Sequence, residues 1–297
     1  MTPNNLLHFP TPAIGLWRIT DWKLSTPALV KWTEQVLEMN ANVIDLADIY
    51  GNYAADECFG KALAAAPALR EKIFLITKCG MKLVTSKRPE HLLKHYDTSR
   101  AHILDSVEQS LRNLHTDRLD LLLIHRPDPL MAADEVAEAF IALKNSGKVV
   151  HFGVSNFTPA QFDLLASRLP FPLVTNQVEF SVLHTTPIYD GTFDQCQRLR
   201  VTPMAWSPLG GGNLFKPQHE VATRVRGTLE QVGNELGGMS IDQVAFAWIT
   251  MHPARVIPVT GTGKLDNIRL AIQACKTKLT RQQWFSILAA SHGHDVP

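Results

Sequence analysis

The sequence lacks the features that mark several large classes of protein. No stretch approaches the roughly 18 consecutive apolar residues of a membrane-spanning helix. The first ten residues do not combine a basic start with a long apolar core, so we expect no signal peptide. The formal net charge is only +1 and no long run carries one sign. We therefore expect neither nucleic acid nor a membrane surface as a partner.

Cysteine is scarce, and one common nucleotide-binding motif is missing. The four cysteines in 297 residues are far apart and form no C-x-x-C pair, so we expect reduced thiols in the cytoplasm. No G-x-G-x-x-G occurs, which leaves a Rossmann domain with little support. His292, His294 and Asp295 form a weak zinc candidate in the tail, but no further ligand set accompanies them, and we expect no metal.

Apolar, strand-like runs alternate with amphipathic helical windows along the whole chain. We place strands at residues 13–18, 42–46, 73–77, 119–124, 150–154, 173–177, 201–206 and 255–259. Helical patterns lie near residues 27–40, 54–65, 99–115, 132–146, 159–168, 188–199, 219–237 and 240–251, and begin again near 265 and 281. This α/β alternation favours a closed (β/α)8 barrel of the TIM type over an open sheet. No linker divides the chain, so we predict a single domain over residues 1–297.

An acid, a phenol, an amine and an imidazole follow three successive strands of this predicted barrel. They are Asp45, Tyr50, Lys78 and His125. Barrels carry their chemistry at the C-terminal ends of the strands, so we expect these side chains to meet. Each residue alone has an ordinary alternative as a turn, loop or solvated residue, although a histidine directly after four apolar residues is unusual. Their combination favours a site.

These four groups suit the reduction of a carbonyl. A tyrosine has a pKa of about 10, so donating a proton near neutral pH requires a stabilised phenolate. A lysine ammonium held by a carboxylate provides that stabilisation. His125 can hydrogen-bond the carbonyl oxygen that Tyr50 would protonate. No protein side chain delivers hydride, so the reaction requires a nicotinamide cofactor.

Several ordered motifs make the sequence similar to the aldo-keto reductase family over essentially its whole length. They are Asp45-x-Ala47-x-x-Tyr50-Gly51, Lys78, and residues 119–125, 147–149, 153–157, 176–179 and 205–209. Within that family the chain especially resembles the bacterial YdhF-type oxidoreductases, through residues 120–131, 146–162 and 279–285. The resemblance implies that Tyr50 is the general acid, that Lys78 and Asp45 tune it, and that His125 orients the carbonyl.

The resemblance also implies where a nicotinamide would bind. Ser155, Asn156 and Gln177 occupy the positions that contact the carboxamide, and their hydroxyl and amide groups offer both donors and acceptors. Trp206 occupies the position of the aromatic residue that stacks on the ring, with a core position as the open alternative. The first strand is expected to add Gly15, Leu16 and Trp17, where Leu16 replaces the usual threonine.

Two glycine-bearing segments resemble those that contact the phosphates of NADPH in this family. The first comprises Ser207, Pro208, Leu209, Gly210, Gly211, Gly212 and Leu214, because glycines let backbone N–H groups approach phosphate oxygens; a flexible connector is the alternative. The second comprises Thr262, Gly263 and Lys264 before a helix, with Asn267 where an arginine is frequent. A helix N-terminus with a hydroxyl and a lysine suits a 2′-phosphate, which favours NADPH over NADH.

The expected substrate is a small carbonyl compound contacted by Trp17, Tyr50 and His125. Trp22 and Tyr53 are further pocket candidates, with a surface or core position equally open. Little sequence follows the last predicted helix, which suggests an open pocket and broad specificity, and little precedes the first strand, which suggests a shortened N-terminal hairpin. Family members are often monomers, so we expect a monomer or a weak homo-oligomer.

Two other functions remain open on the sequence. One is a regulatory or auxiliary protein that binds NADPH with little turnover, since the aldo-keto reductase fold includes auxiliary channel subunits. The other is a barrel lyase in which a desolvated Lys78 forms a Schiff base. The cofactor motifs, and the presence of Tyr50 and Asp45, weigh against the lyase.

Overall fold

The computed structural model describes residues 12–216, 218 and 220–296, and these contain a closed barrel of eight parallel strands. The ten strands in chain order are β1 (Ala13–Gly15), β2 (Val43–Asp45), β3 (Phe74–Cys79), β4 (Met81–Lys82), β5 (His95–Tyr96), β6 (Leu119–Ile124), β7 (Val149–Ser155), β8 (Asn176–Glu179), β9 (Met204–Trp206) and β10 (Ile257–Thr260). The barrel order is β1-β2-β3-β6-β7-β8-β9-β10, closed by pairing of β10 with β1. The predicted single-domain (β/α)8 barrel is confirmed.

Helices surround this barrel. They are α1 (Thr26–Glu38), α2 (Tyr50–Tyr53), α3 (Ala55–Ala65), α4 (Arg100–Leu114), α5 (Ala133–Asn145), α6 (Pro159–Ala166), α7 (Thr192–Leu199), α8 (Glu220–Glu235), α9 (Ile241–Thr250), α10 (Leu265–Ala274) and α11 (Arg281–His292). The prediction of a helix from residue 188 was wrong at its start, because Gly191 adopts a φ of 85° and separates α7 from the short 3-10 helix Thr186–Ile188. Among the described residues, no helix is long and apolar enough to cross a membrane.

Several helices begin where the local side chains can cap them. The Thr158 hydroxyl accepts the Gln161 backbone N–H at 3.3 Å, and the Gln161 side-chain oxygen accepts the Thr158 N–H at 2.9 Å. Thr280 and Gln283 form the same reciprocal pair at the start of α11. These bonds satisfy backbone donors that have no partner inside a helix. The two helices therefore start at positions that their own sequences specify.

The interior of the barrel explains why the polar candidates point the same way. Val43, Ile76 and Leu123 are fully buried members of one apolar cluster that also has residues on β1, β9 and β10. Side chains along a strand alternate between its two faces, so the residue two positions later faces the same side. Those later residues are Asp45, Lys78 and His125. The period of two thus directs an acid, an amine and an imidazole to the upper end of the barrel interior.

The loop between β3 and α4 carries the antiparallel hairpin of β4 and β5, and the loop after β9 carries a 3-10 helix at Gly210–Phe215. No disulfide bond joins any of the four cysteines, all of which are described. The predictions about a signal peptide and a shortened N-terminal hairpin concern residues 1–11, which lie outside the described residues. The predicted domain span of 1–297 remains a prediction.

Candidate active site

A cleft of about 550 Å³ opens at the C-terminal ends of the barrel strands. It brings together most of the residues that the sequence indicated: Gly15, Trp17, Asp45, Tyr50, His125, Ser155, Asn156, Gln177, Trp206, Ser207, Pro208, Leu209, Gly211, Gly212, Thr262 and Asn267. Residues widely separated along the chain therefore share one concave surface. Such a surface is the usual form of a small-molecule site.

Lys78 connects the acid and the phenol at the floor of this cleft. Its ammonium donates to Asp45 Oδ1 at 2.6 Å, to the Leu46 carbonyl at 2.8 Å and to the Tyr50 hydroxyl at 3.2 Å. The Lys78 side chain is fully buried and Asp45 is only 2% exposed. A buried charge is tolerated when it is paired and hydrogen-bonded, and the three oxygens around Lys78 provide both.

Burial and charge oppose each other in setting the protonation of these groups. For Lys78, burial lowers the pKa, but the Asp45 carboxylate and the Tyr50 hydroxyl outweigh it, so the pKa lies above its ordinary value. For Tyr50, burial raises the pKa more than the Lys78 ammonium lowers it. Lys78 thus remains charged and Tyr50 remains protonated near neutral pH. The lysine acts in the expected direction on the phenol, but it does not set the net shift.

His125 lies beside the phenol as a neutral imidazole. The two ring centroids are 5.7 Å apart in an edge-to-face arrangement. Burial, followed by the positive charges of Lys78 and Arg126, holds the pKa of His125 well below its ordinary value. Its Nδ1 is buried and has no hydrogen-bond partner among the described residues. A neutral imidazole in this position can donate one N–H to a ligand without first gaining a proton.

A chain of hydrogen bonds runs across the cleft from Trp206 toward Asp45. The Trp206 indole N–H donates to Asn156 Oδ1 at 2.8 Å, and Asn156 Nδ2 donates to Ser155 Oγ at 2.8 Å. The Ser155 hydroxyl donates to the backbone carbonyl of Gln177 at 2.7 Å, and Gln177 Nε2 donates to Asp45 Oδ2 at 2.8 Å. The residues predicted to hold a carboxamide and those predicted to move a proton therefore form one network.

The glycine-rich segment after β9 is turned back by left-handed backbone. Gly211 and Gly212 have φ of 63° and 94°, and both line the cleft. Gly210 does not line it, and a Cβ there would lie 2.7 Å from Leu183 Cδ1, so its role is one of packing. Leu214 is fully buried in the hydrophobic core. Only part of the predicted phosphate loop therefore faces the cleft.

The segment before α10 presents a hydroxyl at the other end of the cleft. Thr262 Oγ1 accepts the Lys264 backbone N–H at 3.2 Å and Asn267 Nδ2 at 3.5 Å. Lys264 is exposed at the N-terminus of α10, outside the lining. Gly263 packs under the Trp22 ring, and a Cβ at this position would lie 2.7 Å from Trp22 Cε2. The Gly263 carbonyl accepts the Trp32 indole N–H.

Three further candidates lie away from the cleft lining. Leu16 is fully buried, and its backbone N–H donates to the Asp45 carbonyl at 2.8 Å. Trp22 packs on Trp32, and Tyr53 lines a separate cavity, where its hydroxyl accepts the Leu83 N–H. Trp22 and Tyr53 are therefore not part of this pocket in the structure.

The cleft also includes residues that the sequence analysis did not assign to the site. They are Arg18, Arg126, Phe215, Asp242, Phe246, Val259, Thr260 and Gly261. Arg126 directly follows His125, and Val259, Thr260 and Gly261 lie at or just after the end of β10, so proximity to predicted positions was a usable signal. Asp242 and Phe246 lie on α9 and had no such signal. Within the described ranges, no group of three or more His, Cys, Asp or Glu side chains is placed to hold a metal ion.

The barrel and its cleft define an oxidoreductase of a known family. A profile described as the Aldo/keto reductase family matches residues 13–291, and the chain belongs to that family, whose members use a nicotinamide cofactor. It is 53% identical to Oxidoreductase YdhF of Escherichia coli (strain K12), covering 98% of this chain and 96% of the relative. The resemblance predicted from the sequence is thereby confirmed.

Two further relatives extend this comparison. The chain is 45% identical to a 6-dehydroglucose reductase of Agrobacterium fabrum, covering 95% of this chain and 94% of that protein. An aldo/keto reductase of Klebsiella pneumoniae, solved in complex with NADP and acetate, matches with a TM-score of 0.75 over 94% of this chain and 90% of that chain. Its sequence identity is 23%, so that likeness shows the fold.

Proposed function

We propose that this protein reduces aldehyde or ketone carbonyls with NADPH and that Tyr50 is the general acid. The observation that carries the proposal is the Lys78 ammonium, which is 2.6 Å from Asp45 Oδ1 and 3.2 Å from the Tyr50 hydroxyl at the floor of an open cleft. A protonated phenol beside a fixed ammonium can give its proton to a carbonyl oxygen, and the ammonium then stabilises the phenolate that remains.

The other two members of this group have positioning and polarising roles. Asp45 accepts from both Lys78 and Gln177, so it fixes the ammonium against the phenol. His125 is neutral and lies edge-to-face with Tyr50, so it can donate to the same carbonyl oxygen and orient the substrate. In the direction of alcohol oxidation, the phenolate form of Tyr50 acts as the base.

The residues of the cleft fit a nicotinamide dinucleotide. When bound, that cofactor supplies the hydride for the carbonyl carbon. A Cβ at Gly212 or Gly261 would meet nothing within 4 Å, so backbone there is open to phosphate oxygens. Ser155, Asn156 and Gln177 are assigned to the carboxamide and Trp206 to the ring. The NADP in the Klebsiella relative is consistent with this choice of cofactor.

The 2′-phosphate of NADPH is assigned to the start of α10. Thr262 and the exposed Lys264 stand at that helix N-terminus, where backbone N–H groups attract an anion. Replacing Lys264 by alanine should weaken NADPH about tenfold, or about 1.4 kcal/mol, and leave NADH nearly unchanged. Lys276→Ala, just beyond the end of α10, is the matched control. If Lys264→Ala lost affinity for NADPH and NADH equally, Lys264 would not be part of the 2′-phosphate site.

The lyase alternative is not supported by the surroundings of Lys78. A Schiff base needs an uncharged amine with a depressed pKa. The pKa of Lys78 is raised, since the Asp45 carboxylate and the Tyr50 hydroxyl outweigh burial, and its three hydrogen bonds are all to oxygen acceptors. The auxiliary-protein alternative is an outcome of the experiment below.

The test of the proposed reaction is NADPH oxidation with a panel of aromatic and aliphatic aldehydes, quinones and dicarbonyls. Tyr50→Phe should reduce kcat/KM by about 10²- to 10⁴-fold, because the proton donor is lost while the cofactor contacts remain. Tyr53→Phe is the matched control, because Tyr53 lies outside the cleft lining. Turnover by Tyr50→Phe within about threefold of wild type would refute the assignment of the acid. Tight NADPH binding without turnover of any carbonyl would favour the auxiliary role.

Several sequence-based expectations stay predictions. They are the cytoplasmic location, the monomeric or weakly oligomeric state and the broad substrate range.

A further inference from the structure

Two arginines to which the sequence analysis assigned no role line the same cleft as Tyr50. Arg18 follows β1 and lies over the Trp17 ring at 4.8 Å from its centroid. Arg126 follows His125, and its guanidinium carbon is 5.3 Å from the centroid of the Trp206 ring. Trp17 is 56% exposed, so this side of the cleft is open. Arg18 is exposed and Arg126 is half-buried, so both residues are accessible from the cleft.

Among the described residues, neither arginine has an acidic partner. No carboxylate of the described chain lies within ion-pair distance of Arg18 or Arg126, whereas Arg70, Arg118 and Arg269 each have one. A guanidinium presents a fixed fork of donors that matches the two oxygens of a carboxylate. Two arginines in the cleft without an acidic partner among the described residues therefore offer strong donors to a bound ligand.

The charge around the reaction centre has the sign that an anion requires. The Lys78 ammonium is neutralised by Asp45, but Arg126 adds a positive charge felt by both Tyr50 and His125. The other carboxylate of the lining, Asp242, belongs to the wall formed by α9, which packs against α10. The substrate side of the cleft is consequently cationic.

We propose that Arg18 and Arg126 form a subsite for a carboxylate on the carbonyl substrate, so that the preferred substrates are aldehydes or ketones bearing that group. This inference rests on the proposed reductase function. The arginines hold the carboxylate at the mouth, and the carbonyl is presented to Tyr50 and His125. The subsite acts on binding and orientation and takes no part in proton transfer.

The test compares two substrates that differ in charge but carry the same reacting group. They are 4-carboxybenzaldehyde and methyl 4-formylbenzoate. The wild-type ratio of kcat/KM, acid over ester, should exceed about ten at low ionic strength and fall at about 0.5 M salt, where exposed charges are screened. Arg126→Gln and Arg18→Gln should each move this ratio toward one. Arg112→Gln on α4, outside the cleft lining, should leave it unchanged.

The outcomes separate this subsite from the function on which it rests. Equal turnover of acid and ester by the wild type would overturn the subsite and leave the reductase intact. A large loss of NADPH affinity in Arg126→Gln with an unchanged ratio would assign that arginine to the cofactor and overturn the proposal. So would a preference for the neutral polyhydroxy aldehyde glyceraldehyde over the acid. If no aldehyde is reduced, the affinities for the acid and the ester, measured by quenching of tryptophan fluorescence, test the carboxylate subsite without turnover.

Discussion

Replacing Lys78 by methionine should destabilise the protein far more than the loss of one surface charge would. The side chain is fully buried, and its removal leaves the Asp45 carboxylate, which is 2% exposed, with the Gln177 amide as its remaining side-chain partner. Removing one member of a buried ion pair costs about 3–5 kcal/mol, because the other charge stays out of water without compensation. Asp45→Asn should cost a similar amount, since it leaves the ammonium of Lys78 unpaired.

The double variant provides the decisive comparison. Asp45→Asn with Lys78→Met removes both charges, so the electrostatic penalty disappears. The remaining loss comes from the Leu46 carbonyl, which no longer accepts its 2.8 Å hydrogen bond from the ammonium. Leaving this buried acceptor without a partner should lower the free energy of unfolding by about 1–3 kcal/mol. The double variant should therefore be more stable than either single variant, by about 2 kcal/mol at the centre of these ranges. A simple sum of the two single losses would be about 6–10 kcal/mol instead.

Urea unfolding followed by tryptophan fluorescence at pH 7.5 measures these differences for the wild type and the three variants. The contribution of Lys78 is fully present below its unfolded pKa of about 10.4 and is lost as the pH rises through its higher folded value. The gap between wild type and Lys78→Met should therefore narrow above about pH 10. A loss below about 1 kcal/mol in Lys78→Met, or additive single losses, would refute the reasoning. All three variants should lack reductase activity.

Three other predictions concern packing and protonation. Gly60→Ala should lower the free energy of unfolding by about 1–3 kcal/mol or more, because its Cβ would lie 1.9 Å from the Asn113 carbonyl oxygen. Gly227→Ala on α8 should raise the free energy of unfolding by about 0.5–1 kcal/mol, because its Cβ would meet nothing within 4 Å. Urea unfolding that changes the stability of both variants in the same direction would contradict this. Burial raises the pKa of Asp56 to about 6, so the folded state binds a proton more readily than the unfolded state and stability falls as the pH rises from about 4 to 6. Asp56→Asn should remove that fall and gain up to about 3 kcal/mol at pH 7.5 by urea unfolding; an unchanged pH dependence would refute it. The raised pKa of Tyr50 predicts kcat/KM for carbonyl reduction that is flat from about pH 6.5 to 9.5, and an activity loss with an apparent pKa near 7 would contradict it.

Local patterns were sufficient for the barrel and for the direction of its polar side chains. Apolar strands alternating with amphipathic helices specify the layers, and the period of two along a strand sends Asp45, Lys78 and His125 to the side of the interior residues before them. Capping residues such as Thr158 fix helix starts through bonds that span three positions. All of this information is contained in short stretches of chain.

Contacts between distant segments decided the rest. The indole N–H of Trp206 binds Asn156 across 50 positions, and Arg18 and Arg126 reach one cleft from different strands, so no local pattern could pair them. The sequence indicated that a lysine would lower the pKa of Tyr50, but it could not weigh this effect against burial, which is a property of the packed structure. The sequence by itself thus determines the residue types and their spacing along each strand. The distances between residues from different segments, and the desolvation of Tyr50, are determined only by the folded structure.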